Sequence, residues 1–146
     1  MILVIHGLAH ALHTRRIPLI PRMLYGVNRI LFGLVLPPSA KIGAGTVLGY
    51  QGLGIVIHAR AVIGRNVSIG PGVTIGGRNG IFEVPRICDG VEIGSGAKIL
   101  GPVTIGENAK IGANAVVLTD IPENATAVGV PAQVVCRHPK APDHGP

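Results

Sequence analysis

Apolar residues recur along most of this chain at intervals of six. Ile57, Ile63, Ile69 and Ile75 form one run, and Ile87, Ile93, Ile99, Ile105, Ile111 and Val117 form a second. Four residues after these positions comes a smaller or branched slot, held by Ala61, Val67, Val73, Val91, Ala97, Val103, Ala109, Ala115 and Ile121. Glycine directly follows the main slot at Gly64, Gly70, Gly76, Gly94, Gly106 and Gly112. An α-helix would turn residues i and i+6 to different faces, and an ordinary strand alternates with period two. A coil of three short strands, about six residues to a side, instead puts every sixth residue inside. One turn cannot bury its own apolar face, so stacked turns supply the core. The pattern predicts a mainly β fold, a parallel β-helix over residues 39–135.

Two breaks interrupt the period. Ile81 keeps the six-residue step, but its partner slots hold Asn79 and Pro85. Residues 76–86, GGRNGIFEVPR, are therefore predicted to leave the coil as a loop. Upstream, Ile57 lies nine residues beyond Leu48, so residues 49–54, GYQGLG, form a second irregularity. In a regular solenoid, function concentrates in such segments. Residues 1–38 read as a helical segment. Residues 2–13 are apolar, and Pro21 suits the first turn of a second helix. Met23, Val27, Ile30, Leu31 and Leu34 share a face of that helix, and Pro37-Pro38 stops it. The polar tail 136–146 is expected to be disordered.

Composition narrows the function. Aromatics are only 3%, so the core is aliphatic and little is available to stack on nucleic-acid bases. The net charge of +6 favours an anionic partner, here a phosphorylated small molecule. Cys88 and Cys136 have neither metal-ligand nor redox spacing, which fits a reducing, cytoplasmic setting. No apolar run reaches the about 18 residues needed to span a bilayer. His6, His10 and His13 share a helical stripe, but no carboxylate or cysteine joins them, and no metal is expected. Arg15, Arg16, Arg22 and Arg29 would allow peripheral membrane contact through residues 1–38, suited to a lipid-linked sugar.

The segments PPSAKIGAGTVLG, GVTIGG, IGSGAKILGPVTIGENAKIGANAVV and VGVPAQVV resemble the serine acetyltransferase branch of the hexapeptide-repeat acyltransferases. The resemblance covers about Pro38 to Val135. It implies a left-handed β-helix, a homotrimer or dimer of trimers, and acetyl-CoA in the groove between neighbouring subunits. It places Ser95, Lys110 and Ala113 along the CoA. Gly77, at the start of the loop, has an N–H that could meet the thioester oxygen.

The departures are specific. Tyr50 and Gln51 stand where the branch has an Asp-His pair, and Val84 stands where its loop has a histidine. In this respect the chain is similar to short relatives from surface-polysaccharide pathways.

Acetyl transfer to a hydroxyl needs a base, donors for the oxyanion and a groove for the donor arm. His58 is the candidate base: it is the only histidine of the repeat core and replaces the usual glycine after an inward isoleucine. It can equally be a residue that opens a coil. Gln51 could orient an acceptor, and Arg78 and Arg86 could meet phosphate or an anionic acceptor. The expected function is O-acetylation of a saccharide or polysaccharide precursor. Serine O-acetylation is the alternative, and a non-catalytic β-helix scaffold is the third reading.

Overall fold

The computed structural model describes residues 2–15 and 19–137. Two helices, α1 (Ile2–Thr14) and α2 (Leu19–Phe32), precede the coil. The coil opens with β1 (Lys41–Ile42) and β2 (Val47–Leu48). Its next turn is β3 (Val56–Ile57), β4 (Val62–Ile63) and β5 (Ser68–Ile69). The two after that are β6 (Thr74–Gly76), β7 (Arg86–Ile87) and β8 (Glu92–Ile93), then β9 (Lys98–Leu100), β10 (Thr104–Ile105) and β11 (Lys110–Ile111). It closes with β12 (Val116–Val117), β13 (Ala125–Val128) and β14 (Gln133–Arg137).

Up to β12, strands three apart in sequence lie side by side, and β13 then joins β11 and β14, which makes three faces: β1-β4-β7-β10, β2-β5-β8-β11-β13-β14 and β3-β6-β9-β12. All pairings in these faces are parallel except β13 with β14. The register is in phase with the repeat: Ile57 pairs with Ile75, Ile75 with Ile99, and Ile99 with Val117. The six-residue slots therefore stack in columns, and each is at most 3% exposed. Each buried branched side chain contributes about 1.5–3 kcal/mol relative to an exposed one, which is why an almost aromatic-free chain has a sufficient core.

The corners are made by residues with left-handed backbone. Gly45 and Gly96 have positive φ, as do Asn66 and Asn114, which stack on them one coil away. The asparagine side chain occupies the space where the glycine below it has no Cβ.

The helical segment ends earlier than Pro37-Pro38. Gly33, at φ 60°, terminates α2 after Phe32, and Val35 already bridges to Val56 in parallel. Leu34, expected on the helix face, is instead fully buried in the solenoid core with Leu36. The coil thus begins before residue 39. Ordered β structure also extends past 135, because Cys136 and Arg137 pair with β13 in the antiparallel β14. Residues 138–146 of the expected tail, and Arg16, lie outside the described residues.

α1 is docked by its histidines. His6 Nε2 donates to the Ala40 carbonyl at 3.2 Å, and His10 Nδ1 donates to the Pro38 carbonyl at 2.6 Å. Burial, reinforced by nearby His10, lowers the His6 pKa; the hydrogen bond to Ala40 opposes this only in part. The histidine stripe thus clamps the helix to the first coil through two of its members. Among the described residues no group of three His, Cys, Asp or Glu is placed to hold a metal. No described helix is long and apolar enough to cross a membrane.

Candidate active site

The two breaks in the repeat lie at different corners of the coil. The loop leaves after Gly76 and returns at Arg86, both of which are strand residues, so only 77–85 stand outside the pairing. Its two ends pinch together: Val84 Cγ1 lies 3.6 Å from the place a Gly77 side chain would take. Pro85 is buried and Ile81 is partly exposed, so the six-residue step at 81 does not place that residue in the core.

His58 follows β3 at the corner from which the loop leaves one coil later. Its backbone N–H donates to the Ile75 carbonyl at 2.8 Å, and its carbonyl accepts from Ala61 at 2.9 Å. Its ring is half-buried, and Nδ1 accepts the Arg60 backbone N–H at 3.2 Å. In the neutral ring the proton then sits on Nε2. Two residues on, the Arg60 guanidinium covers the Phe82 ring at 3.7 Å from its centroid, a cation–π contact that ties the loop to the corner beside His58. The sequence reading missed this contact. Its signal was available, since Phe82 is one of two phenylalanines in the chain and lies in the loop.

Gly77 and Arg78 share this corner. Gly77 is exposed, lacks a left-handed φ, and an added Cβ would make only an ordinary contact with Val84. The chain's own packing therefore does not require glycine there, and its N–H can be closely approached. The Arg78 stem lies over Gly101, where an added Cβ would be 2.5 Å from Arg78 Cδ.

Gln51, Ser95 and Ala113 line the opposite edge of the β3-β6-β9-β12 face. Corners there stack through backbone hydrogen bonds: Gly72 to Leu53, Gly96 to Pro71 and Asn114 to Ser95, each at 2.9 Å. Ser95 and Ala113 are exposed. Lys110, one strand earlier on β11, pairs with Glu92 at 3.1 Å. Both side chains are about half exposed, so the pair is weak and leaves Lys110 free to exchange partners. Lys98, on the intervening face, donates from Nζ to the Gly72 carbonyl at 2.6 Å.

The irregular corner 49–54 is a kinked turn in which Tyr50 and Gln51 are successive left-handed residues, at φ 47° and 55°. This accounts for the three extra residues between Leu48 and Ile57. A cleft of about 540 Å³ separates the corner from the end of α2, lined by Ile30, Leu31, Phe32, Gly33, Tyr50, Gln51 and Leu53. A second cleft of about 520 Å³, holding Cys88, Glu107, Asp120 and Glu123, is acidic and would repel phosphate. Burial pushes the Cys88 thiol up, so it is a poor nucleophile.

The candidate residues thus form two groups on opposite edges of one face, His58, Gly77 and Arg78 on one and Gln51, Ser95 and Ala113 on the other. A family pattern described as bacterial transferase hexapeptide (six repeats) matches residues 85–119. Serine acetyltransferase of Helicobacter pylori is 44% identical over 138 residues, covering 92% of this chain and 80% of the relative. The chain belongs to the serine acetyltransferase family. The Synechococcus elongatus serine acetyltransferase is 42% identical over 92% of this chain, which spans only 56% of that relative. A serine acetyltransferase solved in complex with CoA superimposes with a TM-score of 0.84 at 40% identity, over 92% of this chain and 55% of its own.

Proposed function

We propose that the chain is an acetyl-CoA-dependent O-acetyltransferase that works as a homotrimer, with each site between neighbouring copies. The observation that carries the activity is the likeness over 92% of the chain to relatives named serine acetyltransferase, one of them solved with CoA. The division of candidate residues between two edges supports the trimer. Two copies set side by side bring the loop corner of one, with His58 and Gly77, against the Ser95–Ala113 edge of the next, which the separation within one chain forbids. CoA lies along that edge, with Lys110 in reach of its phosphates.

In the reaction the acceptor hydroxyl oxygen attacks the thioester carbonyl. His58 removes the hydroxyl proton as the bond forms. The Gly77 N–H donates to the developing oxyanion. The C–S bond then breaks, CoA leaves as thiolate, and the proton held by His58 returns to it. For this the imidazole must release the Arg60 N–H and present an unprotonated nitrogen, a cost of about 1 kcal/mol for one exposed hydrogen bond.

The relatives' names favour serine as acceptor over the saccharide hydroxyl expected from the sequence. Tyr50, Gln51 and Val84 keep the saccharide as a second reading, because both usual catalytic histidines of the branch are missing, in which the chain is similar to the short polysaccharide-pathway relatives. Thiol release from acetyl-CoA, followed over a panel of L-serine and free and nucleotide-linked sugars, tests both. Serine-dependent release supports the first reading, and sugar-only release supports the second. A folded, CoA-binding protein that releases no thiol with any acceptor would show the coil to be a scaffold.

A further inference from the structure

α2 presents an apolar face that none of the described residues covers. Leu19, Ile20, Met23, Val27, Ile30 and Leu31 are 41–84% exposed. At 3.6 residues per turn these six fall within an arc of about 120°. The inward side carries buried Pro21 and Asn28, and the helix packs against α1. Arg22 and Arg29, both exposed, project from the remaining side, next to the apolar arc across Gly26.

The charge of the chain is arranged to match. No Asp or Glu precedes Glu83, whereas eight Lys and Arg do, a charge of +8. The remainder carries five basic and seven acidic residues, a charge of −2. One end of the solenoid is thus basic and acid-free, and it is the end that carries the apolar helix face.

We propose that α2 docks the protein on an anionic membrane surface, lying in the headgroup plane with its apolar face toward the acyl chains. An interfacial helix needs both features found here: large apolar side chains on one arc, and cations at its margin that reach phosphate oxygens. A second copy of α2 uses only the first. Two parallel copies packed through this arc would bring Arg22 and Arg29 of both together with no carboxylate on either helix to pair them. Nucleic acid would use only the charge. The cleft between Ile30 and Leu31 on one side and Tyr50 and Gln51 on the other opens beside the docking face. The proposal does not depend on the acetyl-transfer reading, because partitioning is measured without turnover.

The test is flotation of the whole chain with vesicles of 70% phosphatidylcholine and 30% phosphatidylglycerol, against phosphatidylcholine alone. Binding is expected to the anionic vesicles and to weaken between low and high salt. Each arginine near an anionic surface contributes about fivefold to partitioning, so Arg22→Gln with Arg29→Gln should lower it about thirtyfold. Ile30→Glu with Leu31→Glu should abolish it while circular dichroism and thermal unfolding stay unchanged, because neither side chain is in the core. Folded wild-type protein that ignores anionic vesicles overturns the proposal, as does flotation that survives the two glutamates. If light scattering instead shows the glutamate pair splitting a larger assembly, and the wild type does not float, the face belongs to a second copy and the membrane assignment is wrong.

Discussion

His58→Ala separates catalysis from architecture, because the structure limits how much architecture the side chain can carry. The corner is held by backbone groups: the His58 N–H to Ile75 and the His58 carbonyl from Ala61. Neither is touched by the substitution. The ring adds one hydrogen bond, from the Arg60 N–H to Nδ1 at 3.2 Å, in a half-buried position. Its loss costs about 0.5–1.5 kcal/mol, which in a chain of this size lowers Tm by roughly 2–4 °C per kcal/mol. Loss of a general base raises the barrier by about 2.7–5.5 kcal/mol, or 10²–10⁴-fold in kcat. A structural effect that small cannot reduce turnover per folded molecule by that factor. His58→Asn sharpens the comparison. Its Oδ1 can take the place of Nδ1 and accept from Arg60, so it should recover the stability and none of the rate. The assay is kcat at saturating acetyl-CoA, with thermal unfolding and CoA affinity on the same preparations. Near-normal turnover in folded, CoA-binding His58→Ala refutes the base assignment, and so does recovery of turnover in His58→Asn.

Lys110→Ala should weaken CoA binding at low salt, and Glu92→Gln should strengthen it up to about fivefold by freeing Lys110 from its ion pair; unchanged titration calorimetry for both removes Lys110 from the site. His6 has its pKa lowered in the fold, so the unfolded chain binds the proton more readily. The stability it contributes is complete above the ordinary histidine value of about 6.5 and is lost as pH falls from there through the depressed folded value. Unfolding midpoints at pH 7.5 and 5 should therefore differ, and His6→Gln should reduce that difference. Gly94→Ala places a Cβ 2.5 Å from the Ala113 backbone nitrogen in the next coil and should destabilise by about 1–3 kcal/mol. Gly7→Ala, with nothing within 4 Å inside α1, should stabilise by about 0.5–1 kcal/mol; urea midpoints check both.

The solenoid was legible because it is a one-dimensional object. A repeat of six with glycine after the inward isoleucine can stack in essentially one way, and every coil restates the same register, so Ile57 above Ile75 above Ile99 follows from spacing. The loop after Gly76 was legible for the same reason, as a failure of the partner slot. Where the local pattern is not repeated, long-range contacts took over. Leu34 fits a helix face by spacing, yet Gly33 ends the helix and Leu34 enters the core, because the first coil needs an apolar lid. His6 and His10 have metal-ligand spacing, but only the position of Pro38 and Ala40 shows that their nitrogens meet carbonyls. The same holds for the site. Sequence positions name His58, Gly77, Ser95 and Ala113 one by one, and the site follows from how the turns stack. The three-faced winding puts the first pair and the second on opposite edges of one face, since a corner recurs only after a whole turn. The Arg60–Phe82 contact joins residues 22 apart across a loop of irregular backbone, where neither spacing nor propensity constrains what meets what.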